Sequence, residues 1–92
     1  MIKEWKVYIV KCSDGTYYTG ITTDINRRIL EHNYSFKAAK YTRSRRPVRL
    51  IYTESAGDRS IASKREYKIK KLKRKNKQIL IESVENEIKN RI

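Results

Sequence analysis

Apolar positions recur along the chain with two different periods, and the changes between them mark out its elements. Trp5 to Cys12 reads WKVYIVKC and Thr16 to Thr22 reads TYYTGIT, both rich in β-branched and aromatic residues, with Ser13-Asp14-Gly15 between them. That pattern predicts a β-hairpin. Ile25, Ile29 and Leu30 then follow helical spacing, with Thr23 or Asp24 placed to cap a helix that ends near Tyr34-Ser35. Lys37 to Arg49 holds six basic residues and no acid, contains Pro47 and has no sustained apolar period, so it reads as mostly loop and as a contact surface. Val48 to Thr53 predicts a third strand and Ala56-Gly57-Asp58 a turn, followed by a helix with Ile61, Ala62, Ile69 and Leu72 on one stripe. Asn76 is expected to break that helix from a last one built on Ile79, Leu80, Val84 and Ile88, with Glu82, Glu85 and Glu87 turned to water beside Lys89 and Arg91.

The order β-β-α-β-α-α predicts an α/β fold of the α+β type, in which a small three-stranded antiparallel sheet is flanked by helices, because a bare sheet of this size would leave an apolar face wet. Residues 1–92 read as a single domain, with the last helix, about 77–92, readable as an appended element that frays or docks on a second copy of the chain. No apolar run approaches the roughly 20 residues that a bilayer crossing needs, and Met1 to Tyr8 has no signal-peptide core, so a cytoplasmic protein without a membrane partner is expected. One cysteine, Cys12, excludes an internal disulfide, and there is no Cys/His cluster with zinc spacing. With 23 Lys and Arg against 10 Asp and Glu, the net charge is +13, which favours a polyanionic partner.

The hairpin loop decides which side chains share a face. If Ser13-Asp14-Gly15 is a three-residue loop with Gly15 in the left-handed region, Cys12 pairs with Thr16, Val10 with Tyr18 and Tyr8 with Gly20, and the two tyrosines point the same way. A two-residue Asp14-Gly15 turn would put them on opposite faces. In the first register, Gly20 opposite Tyr8 leaves space over the sheet for a substrate or a packed neighbour.

On the first helix, Asp24, Arg28 and His32 fall in one row at the border of core and solvent. Arg28 there can grip a phosphate in a bidentate fork, and His32 can contact phosphate or relay a proton near neutral pH; the plain alternative is an Asp24–Arg28 ion pair beside a solvated histidine. Lys64 to Lys77 carries nine Lys or Arg and one acid, Glu66, which is also the only carboxylate between Arg59 and Ile81. A lone carboxylate in a phosphate-attracting surface repels the ligand unless a cation such as Mg²⁺ stands between them; otherwise it merely pairs with Lys70. In the loop, Tyr41 lies among Lys40, Arg43, Arg45 and Arg46, mixing positive charge with a ring that can stack on a base. The loop could also be a solubilising segment; a lipid patch is disfavoured because bulky apolar anchors are missing.

Val7-Tyr8-Ile9, followed by Tyr18-Thr19-Gly20, then Arg28, His32 and Glu66 in that order and spacing, resembles the paired signatures of the GIY-YIG nuclease superfamily. The runs YYTGITTDINRRILEHN and AKYTRSRRPVRLIY are similar to the bacterial family of small stand-alone GIY-YIG domain proteins, and the fit spans nearly the whole chain. The resemblance implies a GIY-YIG fold and a catalytic set of Tyr8 and Tyr18 at the attacked phosphodiester, Arg28 on its phosphate, His32 in support and Glu66 as protein ligand of one divalent metal, Mg²⁺ or Mn²⁺. Two departures stand out: Lys6 replaces the glycine of the first signature, and the asparagine that many relatives carry near the end of the domain is not assigned to a position. A tyrosine needs nearby cations to become a useful base, and Lys11, Arg28 and a metal are the candidates, with either phenol able to activate water. The reading is therefore metal-dependent DNA hydrolysis, in DNA repair or processing, with Lys11, Lys40, Tyr41, Arg43, Arg45 and Arg46 binding the nucleic acid. The alternatives are a non-catalytic DNA- or RNA-binding module of the same fold, or a module that docks on an acidic protein. So small a surface implies weak sequence choice or a partner protein that supplies specificity.

Overall fold

The computed structural model describes residues 3–88. Its elements are β1 (Trp5–Lys11), β2 (Tyr17–Thr22), α1 (Ile25–Tyr34), α2 (Lys40–Arg43), β3 (Arg49–Gly57), α3 (Arg59–Lys70) and α4 (Arg74–Ile81). The sheet is antiparallel throughout, in the order β2-β1-β3, so the most apolar strand lies in the middle. This is the α+β arrangement that the periodicity predicts.

Period-two alternation sends the side chains of β1 to two cores. Val7 and Ile9 join Tyr52, Ala62, Ile69 and Leu80, which covers one face with α3 and α4. Tyr8, Val10 and Cys12 join Val48, with Ile25 and Ile29 of α1 packed against them on the other face. Arg65 Nε of α3 contacts both Glu54 carboxylate oxygens of β3, at 3.0 and 2.9 Å, pinning the helix across the sheet. The hairpin takes the three-residue loop: Cys12 N donates to Thr16 O at 2.8 Å, Gly15 has φ 85°, and Val10 faces Tyr18 as Tyr8 faces Gly20. Asp14 fixes the loop from within, its Oδ1 accepting from Thr16 N at 3.1 Å and from Thr16 Oγ1 at 2.6 Å.

The basic segment, expected to be mostly loop, contains the one-turn helix α2, because Ala38 and Thr42, four residues apart, are both buried and give it an inward side. The third strand runs on through Gly57, so the predicted turn contracts to Gly57, at φ 78°, and Asp58, whose carboxylate accepts from Ile61 N at 2.8 Å to cap α3. Asn76 does not break the helices but lies within α4. The break comes at Leu72 and Lys73, where Leu72 is drawn against the first core and the chain reorients to bring Leu80 into it.

The final helix does not extend over 77–92. It ends at Ile81, Ser83 Oγ donates to Leu80 O at 2.6 Å, and Val84, expected on an apolar stripe, is exposed. What stops it is a buried Asn86, whose Nδ2 donates to Ile51 O at 2.9 Å and Ile81 O at 2.8 Å, while Glu87 N donates to Thr53 O at 3.0 Å. These bonds lay the segment along the outer edge of β3 and so shield that edge. Glu87 does not face water: it accepts from Ser55 Oγ at 2.6 Å, from Thr53 Oγ1 at 3.1 Å and from Lys6 Nζ at 3.0 Å. The expected flanking of the acids by Lys89 and Arg91 lies outside the described residues. No helix among the described residues is long and apolar enough to cross a membrane.

Candidate active site and nucleic-acid surface

The hairpin register places both phenols on the α1 face, and α1 brings His32 to meet them. Tyr8 Oη is 2.7 Å from His32 Nε2, and the rings of Tyr8 and Tyr18 lie with centroids 5.7 and 5.4 Å from the His32 ring. The space opposite Gly20 is taken by Tyr8 itself. A Cβ added at Gly20 would come within 2.5 Å of the Tyr8 oxygen and 2.7 Å of its Cζ, so only glycine lets the phenol cross its neighbouring strand to reach α1.

His32 is not at the border of the core: it is wholly buried, and it touches no solvent from which a phosphate could approach. Burial, with the Arg28 charge behind it, pushes its pKa down to about 4, so at neutral pH it is an uncharged imidazole. Its Nδ1 lies 2.7 Å from Thr42 Oγ1 on α2, a residue that gave no catalytic signal in the sequence. The only trace was the spacing of Ala38 and Thr42 in an otherwise charged run.

Tyr8 is buried as well. Burial drives its phenol up to about 12; the Arg28 guanidinium opposes this, while Tyr18 and Glu66 add to it. The expected lowering by cations is thus outweighed by desolvation. Arg28 is two-thirds or more shielded, and its partner is Glu31, at 3.0 Å, rather than Asp24; Nη1 also donates to Lys37 O at 2.9 Å. Asp24 instead caps α1, accepting from Arg27 N at 3.1 Å. Glu66 is half-buried and lies within electrostatic reach of Tyr8, and its Oε2 is 3.6 Å from Lys70 Nζ. Lys70 Nζ stands 6.0 Å from the Tyr18 ring centroid, so this end of α3 reaches the tyrosine face.

A divalent metal would find at Glu66 a hard oxygen donor in a basic surroundings, which suits a hydrated Mg²⁺ or Mn²⁺ held by one carboxylate together with water and phosphate oxygens. Among the described residues no three His, Cys, Asp or Glu side chains gather, so the donors do not suit zinc.

Tyr41 stacks on Tyr18, with centroids 6.1 Å apart and planes 20° apart, and carries the Arg45 guanidinium 3.9 Å above its ring. The aromatic surface thus continues from the phenols into the basic segment, where Lys40, Arg43 and Arg45 line an open hollow beside Tyr41. Arg45 is also held to Asp14 of the hairpin loop at 3.0 Å and to Tyr41 O at 2.8 Å. Arg46, expected on the contact surface, does not line that hollow. It closes the C-terminal end of α1, with Nε donating to His32 O at 2.5 Å and Nη2 to Ser35 O, because the final carbonyls of a helix need donors and this guanidinium lies against them. Lys11 is at the end of β1, paired with Tyr17, beside a small hollow with Cys12, Pro47, Val48 and Arg49. Asn33, not singled out in the sequence, clasps the start of β3: it donates to Val48 O at 3.0 Å and accepts from Val48 N at 2.7 Å.

Residues 4–79 match the family model described as the GIY-YIG catalytic domain. The chain is 63% identical over 81 residues to a UPF0213 protein of Desulfotalea psychrophila, covering 88% of this chain and 74% of that one. It is 57% identical over 74 residues to a UPF0213 protein of Halobacterium salinarum, covering 80% and 95%. Among solved structures it is similar to a protein of E. faecalis, with TM-score 0.59 and 48% identity over 86% of this chain and 84% of that one. It is also similar to a UPF0213 protein of Bacillus halodurans, with TM-score 0.54 and 46% identity over 85% and 82%. A hairpin that sets two signature tyrosines on one face, a helix that meets them with arginine and histidine, and a match over residues 4–79 lead to one conclusion: this chain belongs to the GIY-YIG catalytic-domain family, among its small UPF0213 members.

Proposed function

We propose that the chain is a divalent-metal-dependent endonuclease that hydrolyses phosphodiester bonds of DNA, in repair or processing. The observation that carries the reading is convergence on one phenol: Tyr8 is bonded to His32, and Arg28, Tyr18 and Glu66 all act on its charge. Hydrolysis needs an oriented water, charge stabilisation at the phosphoryl oxygens and help for the departing oxygen.

Because burial makes Tyr8 hard to deprotonate, a standing phenolate is disfavoured at neutral pH. In the route that avoids a phenolate, Tyr8 Oη takes the proton of the attacking water as its own proton passes to His32 Nε2, and the negative charge of the bound phosphate offsets the burial and the Arg28 charge that otherwise disfavour the imidazolium. Arg28 gives Nη1 to Glu31 and Lys37 and also interacts with the Tyr8 hydroxyl, so its guanidinium sits beside the phenol, where its charge can stabilise the phosphoryl oxygens. Tyr18, with Tyr41 stacked on it, offers a face to a nucleobase beside the scissile phosphate. Lys40 and Arg43 hold the backbone through charge. Glu66 would hold Mg²⁺ or Mn²⁺, and the bound ion supplies Lewis-acid stabilisation of the departing oxygen.

A non-catalytic DNA- or RNA-binding module is the second reading; the deep burial of Tyr8 and the Lys70 contact on Glu66 favour it. The test is cleavage of supercoiled, branched and nicked DNA with Mg²⁺, Mn²⁺ or EDTA, beside Tyr8→Phe and Glu66→Ala. Cleavage that requires metal, Tyr8 and Glu66 is expected. Binding without cleavage under every condition would establish the second reading instead.

A further inference from the structure

We infer that Thr42 is a positioning residue: its hydroxyl fixes His32 as the Nδ1–H tautomer, which turns a bare Nε2 toward Tyr8 and joins the basic segment to the catalytic phenol. Thr42 Oγ1 contacts His32 Nδ1 at 2.7 Å and Ala39 O at 3.0 Å. A hydroxyl has one hydrogen and a carbonyl has none, so the hydrogen goes to Ala39 O, and the Nδ1 contact requires that nitrogen to donate. The reverse assignment would set two oxygen lone pairs against each other at 3.0 Å. A neutral imidazole has one N–H, so Nε2 is left as an acceptor and the Tyr8 hydroxyl donates to it at 2.7 Å.

Tyr8, His32 and Thr42 are 1%, 0% and 0% exposed, so no water can replace the hydroxyl. The groups that act on the imidazole are Arg28 and Glu31 from its own helix, Arg46 from the segment before β3, and the rings of Tyr8 and Tyr18 from the sheet. None of these accepts a hydrogen bond from Nδ1; Thr42 does. Since Thr42 is the inward residue of α2, whose Lys40, Tyr41 and Arg43 are exposed, a strand of nucleic acid on α2 would rest on the element that orients the proton acceptor.

The assignment of a role in cleavage rests on the nuclease reading; the tautomer does not. His32 is the only histidine, so its ring nitrogens can be read without ambiguity in two-bond ¹H–¹⁵N correlation spectra of the ¹⁵N-labelled full chain. The wild-type protein is expected to show the Nδ1–H form. Thr42→Val, which keeps shape and removes the acceptor, is expected to populate the Nε2–H form and to slow cleavage roughly 10- to 100-fold with DNA affinity unchanged. Thr42→Ser should restore both. An Nε2–H wild type, or a Thr42→Val protein that keeps both tautomer and rate, would overturn the inference. If Thr42→Val does not fold, the wild-type and Thr42→Ser spectra still decide it. A wild-type protein that shows Nδ1–H yet cleaves nothing would remove the nuclease reading and the catalytic role with it, while leaving the tautomer assignment standing.

Discussion

Gly20 and His32 show how single residues set the terms of the site. At Gly20 a methyl group would lie 2.5 Å from the Tyr8 oxygen, inside a packed face where the ring cannot swing away. Gly20→Ala is therefore expected to destabilise the fold by about 1–3 kcal/mol, the usual cost of overpacking, and to break the Tyr8–His32 bond. Urea unfolding measures the first, and the His32 ring signals report the second; a protein as stable as wild type with unchanged signals would contradict the geometry. His32 gives a pH signature. Its folded pKa near 4 lies below the value of about 6.5 in an unfolded chain, so between those values the unfolded state binds the extra proton. Its contribution to stability is complete above pH 6.5 and is lost as pH falls toward 4, with a slope of at most about 1.4 kcal/mol per pH unit. Unfolding free energies measured from pH 7 to 4 should show that slope in wild type and a shallower one in His32→Gln.

At the scale of elements, two arginines three residues apart separate recognition from architecture. Arg43 points outward from α2, whereas Arg46 saturates the carbonyls that α1 leaves open. Arg46→Ala is expected to cost about 1–3 kcal/mol of stability, because a charged donor and partly buried acceptors part company, while Arg43→Ala leaves unfolding unchanged and weakens nucleic-acid binding. Denaturation and binding titrations on the two variants should give opposite patterns; the same pattern for both would undo the division. The end of the chain follows a similar logic. Asn86 bonds to β3 and to the last turn of α4, so Asn86→Ala strands the carbonyls of Ile51 and Ile81 and should cost about 1–3 kcal/mol in urea unfolding. No change would mean that the segment is not what shields the edge of β3.

Over the whole molecule, a net charge of +13 is distributed so that Lys40 and Arg43 flank Tyr41 on one surface while Lys64, Lys68 and Lys71 surround Tyr67 on α3. Lys40→Ala with Arg43→Ala is expected to weaken DNA binding by roughly 1–3 kcal/mol across sequences and to flatten its dependence on salt, as fewer counterions are released. Affinity titrations from 50 to 200 mM salt, a range over which phosphate contacts lose strength steeply, provide the check; an unchanged slope would take α2 out of the interface. The sequence alone determined the presence and order of the three strands, α1 and α3, and the family, because these depend on short-range period and on spacing along one chain; it left two hairpin registers open, and the structure selects the three-residue loop. The sequence also singled out Tyr8, Tyr18, Arg28, His32 and Glu66. Only the tertiary structure decided that His32 is buried and neutral, that Thr42 holds it, that Arg46 serves a helix end and that α4 stops at Ile81. Burial and hydrogen-bond partners are set by residues distant in sequence, and no local pattern of charge or hydrophobicity encodes which donor meets which acceptor across the fold.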